Sequence, residues 1–261
     1  MRDFEGRDHF HSALDERERA CEHFRAVLAV HSAVIAAFEI IPTLPESEGV
    51  LATSLRLKRG MQSTDTSESL ARGAQSIHEA MVDERDRGFR VIRGSALITA
   101  CAAFEYLVKA TFVSQAAFDP TAAAGLLVDT RLKVPASDVL GAPATEQWFA
   151  IADQLFEQMP SPPRQMHQRV RRFLLEYTYV ADRDRDLSDV MRIFEDMDSA
   201  KLDEAFLIRN CLVHNGGRVS SALARHTRRP VGVLIEFEAG LLGPILKPMR
   251  DLADTLGALH L

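Results

Sequence analysis

Apolar positions recur at helical spacing along most of the chain. Between Asp15 and Ile41, residues Phe24, Val27, Leu28, Val34, Ile35 and Phe38 fall on one helical pattern, which Pro42 and Pro45 stop. Ile41 to Gly49 reads as a linker. Ser63 to Ser69 offers several N-cap candidates. A long helical pattern then runs from about Glu68 to Phe118, with Gly88 and Gly94 as points where it can bend or divide, and Asp119-Pro120 ends it.

Leu126 to Ala144 carries Pro135 and Pro143 and reads as an irregular excursion. Helical pattern returns from Thr145 to Glu157, breaks at Met159-Pro160-Ser161-Pro162-Pro163, and resumes from Arg164 to Val180. Asp182 to Asp186 reads as a charged loop. One or two helices follow from Leu187 to His214, stopped by Gly216-Gly217. Val231 to Phe237 is β-prone and has room for one short strand. Leu241 to Leu259 closes the chain as a helix with Pro244 in its first turn. The pattern predicts an all-α fold, with an N-terminal helical extension over 1–84 packed on a helical domain over 85–261. There is no βαβ alternation and no internal repeat, which argues against a doubly wound sheet.

Composition adds limits. At 261 residues, with 46% hydrophobic and 26% charged content, the chain can bury a sizeable core without disulfides or a structural metal. Cys21, Cys101 and Cys211 are odd in number, widely separated and set in apolar surroundings, as reduced buried thiols are. No two share zinc-ligand spacing. Met1 to Glu22 is dense in charge and has no apolar signal core. The longest apolar stretch, Ala96 to Tyr106, is interrupted by Thr99 and Glu105 and is too short to span a bilayer. A cytoplasmic location without membrane association is therefore expected.

The net charge of -6 argues against a generally basic, nucleic-acid-coating surface. Its distribution is uneven, however. From Ala205 to Ile235 there is no Asp or Glu, while Arg209, Arg218, Arg225, Arg228, Arg229, His214 and His226 all fall inside that window. A basic apron of this kind would attract an RNA backbone, and a solvated loop with unrelated arginines would show the same pattern. A second basic run, Arg164, Arg169, Arg171 and Arg172, reads as an exposed helix face.

Candidate chemistry lies in Arg209-Asn210-Cys211-Leu212-Val213-His214, embedded in an apolar helical pattern. Asn210 and His214 are four apart on one helical face, and Arg209 is one position off it. Arginine offers phosphate a fixed fork of donors, and histidine exchanges protons near neutrality. RNA carries its own nucleophile, the 2′-hydroxyl, so this pair needs no metal or cofactor to cleave it. Spacing alone more often marks a surface or cap feature than a catalytic set. Glu105 interrupts another apolar run. It reads equally as a support for Arg209 or Asn210 and as an i,i+4 partner of Lys109. His9 and His11 with Asp8 sit in a charged end expected to fray, and Trp148-Phe149 reads as core packing.

The set Arg209-Asn210…His214, with four residues between Arg and His, a polar residue straight after the Arg and Asn215-Gly216-Gly217 behind it, resembles the signature of the HEPN superfamily of helical ribonucleases and their relatives. Ala102-Ala103-Phe104-Glu105-Tyr106-Leu107 is similar to that family's preceding core helix. The resemblance covers Arg85 to Leu261, and its specific part is the Arg-to-His segment. It implies a bundle of four to five core helices and a two-fold homodimer in which facing motifs form one composite site. It also implies a metal-independent endoribonuclease cutting single-stranded RNA to a 2′,3′-cyclic phosphate and a 5′-hydroxyl. In that reaction His214 is general base or acid, Arg209 the phosphate clamp, Asn210 an orienting group and Glu105 a support, with Arg218, Arg225, Arg228 and Arg229 on the RNA backbone. Toxin–antitoxin and phage-defence roles, with an antitoxin or defence-system partner, belong to the same implication. Gly216 stands where the toxin branch with a nucleotidyltransferase partner carries Tyr, a departure from that branch. Catalytically silent relatives make a dimeric adaptor, sensor or RNA-binding module the alternative.

Overall fold

The structure is a computed structural model that describes residues 3–43, 51–53, 67–118, 144–158, 165–178, 192, 194–237 and 240–258. The excursion expected over Leu126–Ala144, apart from Ala144 itself, and the charged loop at Asp182–Asp186 fall outside the described residues. Among the described residues the fold is all-α. The principal helices are α1 (Asp3–Ile40), α2 (Ser67–Asp86), α3 (Arg90–Phe118), α4 (Ala144–Gln158), α5 (Met166–Arg172), α6 (Ser199–His214), α7 (Ser221–Thr227) and α8 (Leu242–Ala258). A turn of 3-10 helix, Ile41–Thr43, follows α1, and α5 runs on into a π-helical turn, Phe173–Thr178.

Two local expectations are corrected and one is narrowed. The N-terminal stretch is helical backbone from Asp3 onward rather than a frayed end, in keeping with the strong helix formers Glu, Arg and Ala that fill Asp15 to Ala20. Gly94 stays inside α3, whereas Gly88 divides α2 from α3. Val231–Phe237 contributes no strand, only an isolated antiparallel bridge between Arg218 and Leu234. The long pattern from Glu68 to Phe118 breaks at Gly88 because two successive residues adopt left-handed φ there, +68° at Gly88 and +57° at Phe89. Phe89 tolerates this because its side chain is buried.

Contacts divide the chain into two units, Met1–Val27 with Leu97–Ile235 and Gly243–Leu261, and Leu28–Ala96 with Glu236–Leu242. This partition is discontinuous and differs from a single cut after residue 84. In the second unit the junction of α2 and α3 is tied by side chains. Glu84 Oε1 accepts from the Val91 and Ile92 N–H groups at 2.6 and 3.0 Å, capping α3 from the end of α2. Arg93 lies over the Phe89 ring and donates to the carbonyls of Gly88 and Phe237 at 3.0 and 2.6 Å.

The first unit holds a core strung on rings. Phe24 meets Phe104, which meets Phe206, at centroid separations of 6.2 and 6.3 Å. Phe173 joins Phe112 and Phe156 at 5.6 and 5.3 Å. Trp148 packs edge-on against Phe112, and Phe149 stacks on Tyr106, so both serve packing. Cys21, Cys101 and Cys211 are buried free thiols. In α8, Ile245, Met249, Leu252 and Leu256 form a buried stripe at helical spacing. Continuous helices also extend the apolar segments beyond Ala96–Tyr106. Glu16–Ile40 and Arg90–Ala116 are each long and apolar enough to cross a membrane, although 67% of the apolar window in the latter is buried inside the protein.

Candidate functional site

Helix α6 carries the Arg-to-His segment. Asp198 starts it by accepting from Lys201 N–H at 3.1 Å. The seven residues from Leu202 to Ile208 are buried without interruption, as in a helix surrounded by protein. Two acids lie in that stretch, and each has a partner. Glu204 accepts from Lys201 Nζ at 2.7 Å, and Asp203 accepts from the backbone and ring of His167. From Arg209 onward the helix emerges, with Arg209 and Asn210 half-buried and Val213 and His214 exposed.

Arg209 is held at this exit. Its Nη1 donates to Asn210 Oδ1 at 3.0 Å, and its buried Nε has no hydrogen-bond partner among the described residues. It faces the part of α3 that carries Cys101 and Glu105, one helical turn apart. Burial pushes the Glu105 carboxyl above the ordinary carboxylate range, and Arg209 is the strongest of the cations pulling it back, ahead of Lys109 and Arg169. Burial likewise pushes the Cys101 thiol far up, with Glu105 adding to the rise and Arg209 opposing it. Lys109 makes its ion pair with Asp153 and lies over the Phe156 ring, so the i,i+4 pairing with Glu105 is not its main engagement.

His214 closes α6 inside its last turn, so the glycines act after it and do not swing it out of the helix. It has no hydrogen-bond or ion-pair partner among the described residues. Arg209 and His214 are five residues apart, which separates them by roughly 140° around the helix axis. The structure therefore joins Arg209 to Asn210, leaves Glu105 within electrostatic reach of Arg209 without an ion pair among the described residues, and sets His214 on another side of the helix. The chain then turns through Gly216 and Gly217, with φ of +58° and +75°, and Gly217 N–H returns to the Cys211 carbonyl at 3.0 Å.

The acid-free segment is ordered around this end. Val219 N–H donates to Val233 O and Ile235 N–H to Gly217 O, at 2.8 and 2.9 Å. Ser220 caps α7 by accepting from Leu223 N–H at 3.2 Å, and its hydroxyl also accepts from the Cys211 thiol at 3.3 Å. His226 donates to Ala200 O at 2.9 Å. Arg218 donates to Gly232 O at 3.0 Å, Arg225 and Arg228 are exposed, and Arg229 is half-buried. This segment also exposes apolar side chains: Val213 is 47% exposed, Val231 64%, Val233 43% and Leu234 40%.

Sequence reasoning missed the His167–Asp203 pair, whose members are 36 positions apart. The only clue was an acid inside an apolar helical run. In the second basic run, Arg169 lies over the Phe156 ring and Arg171 and Arg172 are exposed, while Arg164 is outside the described residues, as are the side chains of His9 and His11. Among the described residues no three His, Cys, Asp or Glu side chains converge as metal ligands do. No family model, no curated protein and no solved structure matches this chain.

Proposed function

We propose that the chain is a metal-independent endoribonuclease of the HEPN type, acting on single-stranded RNA as a cytoplasmic homodimer, with a toxin or defence role as the biological setting. The observation that carries this reading is the exit of α6 from the core. A half-buried arginine bonded to the neighbouring amide, and within electrostatic reach of a buried acid, is followed five residues later by an exposed histidine with no partner among the described residues. The roughly 140° between them means that a site using both takes Arg209 and His214 from different copies. The exposed Val213, Val231, Val233 and Leu234 supply apolar surface for such pairing.

In this reaction one His214 takes the proton from the 2′-hydroxyl as the 2′-oxygen bonds to phosphorus. The bond from phosphorus to the 5′-oxygen breaks, and a water protonates the leaving oxygen, recovering its proton from the His214 imidazolium. Arg209 binds the phosphate and offsets the charge that builds on it, and Asn210 orients the guanidinium. Arg218, Arg225, Arg228 and Arg229 bind the flanking backbone.

A dimeric adaptor is the second reading, favoured by the internal engagement of Arg209 with Asn210. The two separate in one experiment, cleavage of labelled RNA in EDTA by wild type, His214→Ala and Arg209→Ala. The enzyme reading expects wild-type cleavage and losses of at least about a hundredfold in each variant. A 2′-deoxy substitution at the scissile nucleotide also blocks cleavage. Undiminished cleavage by either variant sinks the assignment, and absence of wild-type cleavage favours the adaptor.

A further inference from the structure

The pair of His167 and Asp203 takes no part in the proposed chemistry, yet α6 sets it in line with that chemistry. Asp203, Asn210 and His214 follow one another at seven and four residues, which places all three within roughly 20° of one line along the helix. His167 is bonded to Asp203 through its backbone N–H and its ring, at 3.0 and 2.7 Å. The imidazole therefore lies beside the Asp203 end of that line, roughly 16 Å along the axis from His214. The His167 side chain is 24% exposed and that of Asp203 6%, so the ring reaches water while the carboxylate does not. On α7, His226 donates to the carbonyl of Ala200, within one turn of Asp203, so the basic end of α7 meets α6 at the same turn.

A carboxylate can only accept, so the 2.7 Å contact puts the ring proton on Nδ1 and leaves Nε2 of the neutral imidazole as an acceptor. The neighbouring acids of α6 are already engaged: Asp198 accepts from Lys201 N–H and Glu204 from Lys201 Nζ. On the ribonuclease reading above, we propose that His167 Nε2 accepts a hydrogen bond from a ribose 2′-hydroxyl of a nucleotide flanking the scissile one, and so selects RNA over DNA. An ionised phosphate has no proton to give to this nitrogen, whereas a 2′-hydroxyl has one and DNA lacks that group. Asp203 holds the tautomer and the ring angle before RNA arrives, so the contact costs little ordering. Exposed Arg171, one turn after His167 on α5, and exposed Arg225 on α7 are placed to take adjoining phosphates.

Fluorescence anisotropy of the full-length His214→Ala chain, with a labelled oligouridylate of about 12 nucleotides and its 2′-fluoro counterpart, tests this. The 2′-fluoro strand keeps the ribose pucker and the base but has no 2′ donor, and it binds at least about threefold more weakly. His167→Asn, added to the same chain, keeps an amide nitrogen where Nδ1 lies and removes Nε2. The ratio between the two strands then falls by about that threefold factor. Should His167→Asn fail to fold, the histidine ring ¹⁵N spectrum of the His214→Ala chain carries the decision. The His167 Nε2 resonance shifts with the ribose strand and stays in place with the 2′-fluoro strand. Equal binding of the two strands, an unchanged ratio in a folded His167→Asn, or a neutral ring with its proton on Nε2 overturns the proposal. Absence of RNA binding and cleavage by wild type overturns the ribonuclease reading with it. Wild-type cleavage together with an unchanged ratio overturns the role of His167 alone.

Discussion

Asp203 grips His167 twice, accepting its backbone N–H on Oδ1 at 3.0 Å and its ring Nδ1–H on Oδ2 at 2.7 Å. One buried carboxylate on α6 thereby caps the start of α5 and fixes the orientation of an imidazole. The pair ties these two helices together through two polar contacts. Asp203→Ala leaves the α5 N–H and the ring nitrogen without their acceptor, at a cost of about 1–3 kcal/mol. A thermal melt at neutral pH should show a fall of several degrees, with a smaller fall for Asp203→Asn, which keeps one acceptor. Equal melting of wild type and Asp203→Ala would mean that water replaces the carboxylate without loss.

Glu105 gives a pH-dependent prediction. Burial raises its carboxyl above the ordinary value despite Arg209. A carboxyl with a raised folded-state pKa binds its proton more tightly when folded, so stability falls as pH rises from the unfolded value through the raised one. Glu105→Gln lacks this titration. Its stability relative to wild type should improve across that window and level off above it, as denaturant titrations over the acid-to-neutral range can measure. A gap that narrows with rising pH would show that the Arg209 attraction outweighs burial.

The exposed valines give a prediction about assembly. Light scattering at micromolar concentration should report about twice the 29.0 kDa chain mass. Val231→Asp with Val233→Asp should return it to a monomer without lowering the melting temperature of the isolated fold, because neither side chain is buried. A monomeric wild type would remove the composite site.

The basic segment is testable by salt dependence. Replacing Arg225, Arg228 and Arg229 with Ala should weaken RNA binding and flatten the slope of log affinity against log salt by about 0.7 per lost single-strand phosphate contact. Arg228 adopts φ of +60°, so a separate Arg228→Gly control distinguishes backbone strain from charge loss. An unchanged slope would leave these arginines as solvated surface.

Period and punctuation in the sequence were enough to place α4, the arrest of α3 before Asp119-Pro120, the end of α6 at Gly216-Gly217 and the start of α8, because these depend on propensity, proline and glycine within a few neighbouring residues. The Arg209–His214 segment was legible for the same reason. Tertiary packing decided what local signals do not encode. It chose Gly88 over Gly94 as the break, because only the former is followed by a buried Phe89 and an Arg93 that satisfy the turn. It reduced Val231–Phe237 to a single bridge, because the pairing stretch opposite it is confined to Gly217–Val219. It gave Lys109 to Asp153 as its ion-pair partner, a choice that spacing along the chain does not encode. It paired His167 with Asp203 across 36 positions, since burying a carboxylate demands whichever donor the fold brings near, wherever that donor lies in the chain.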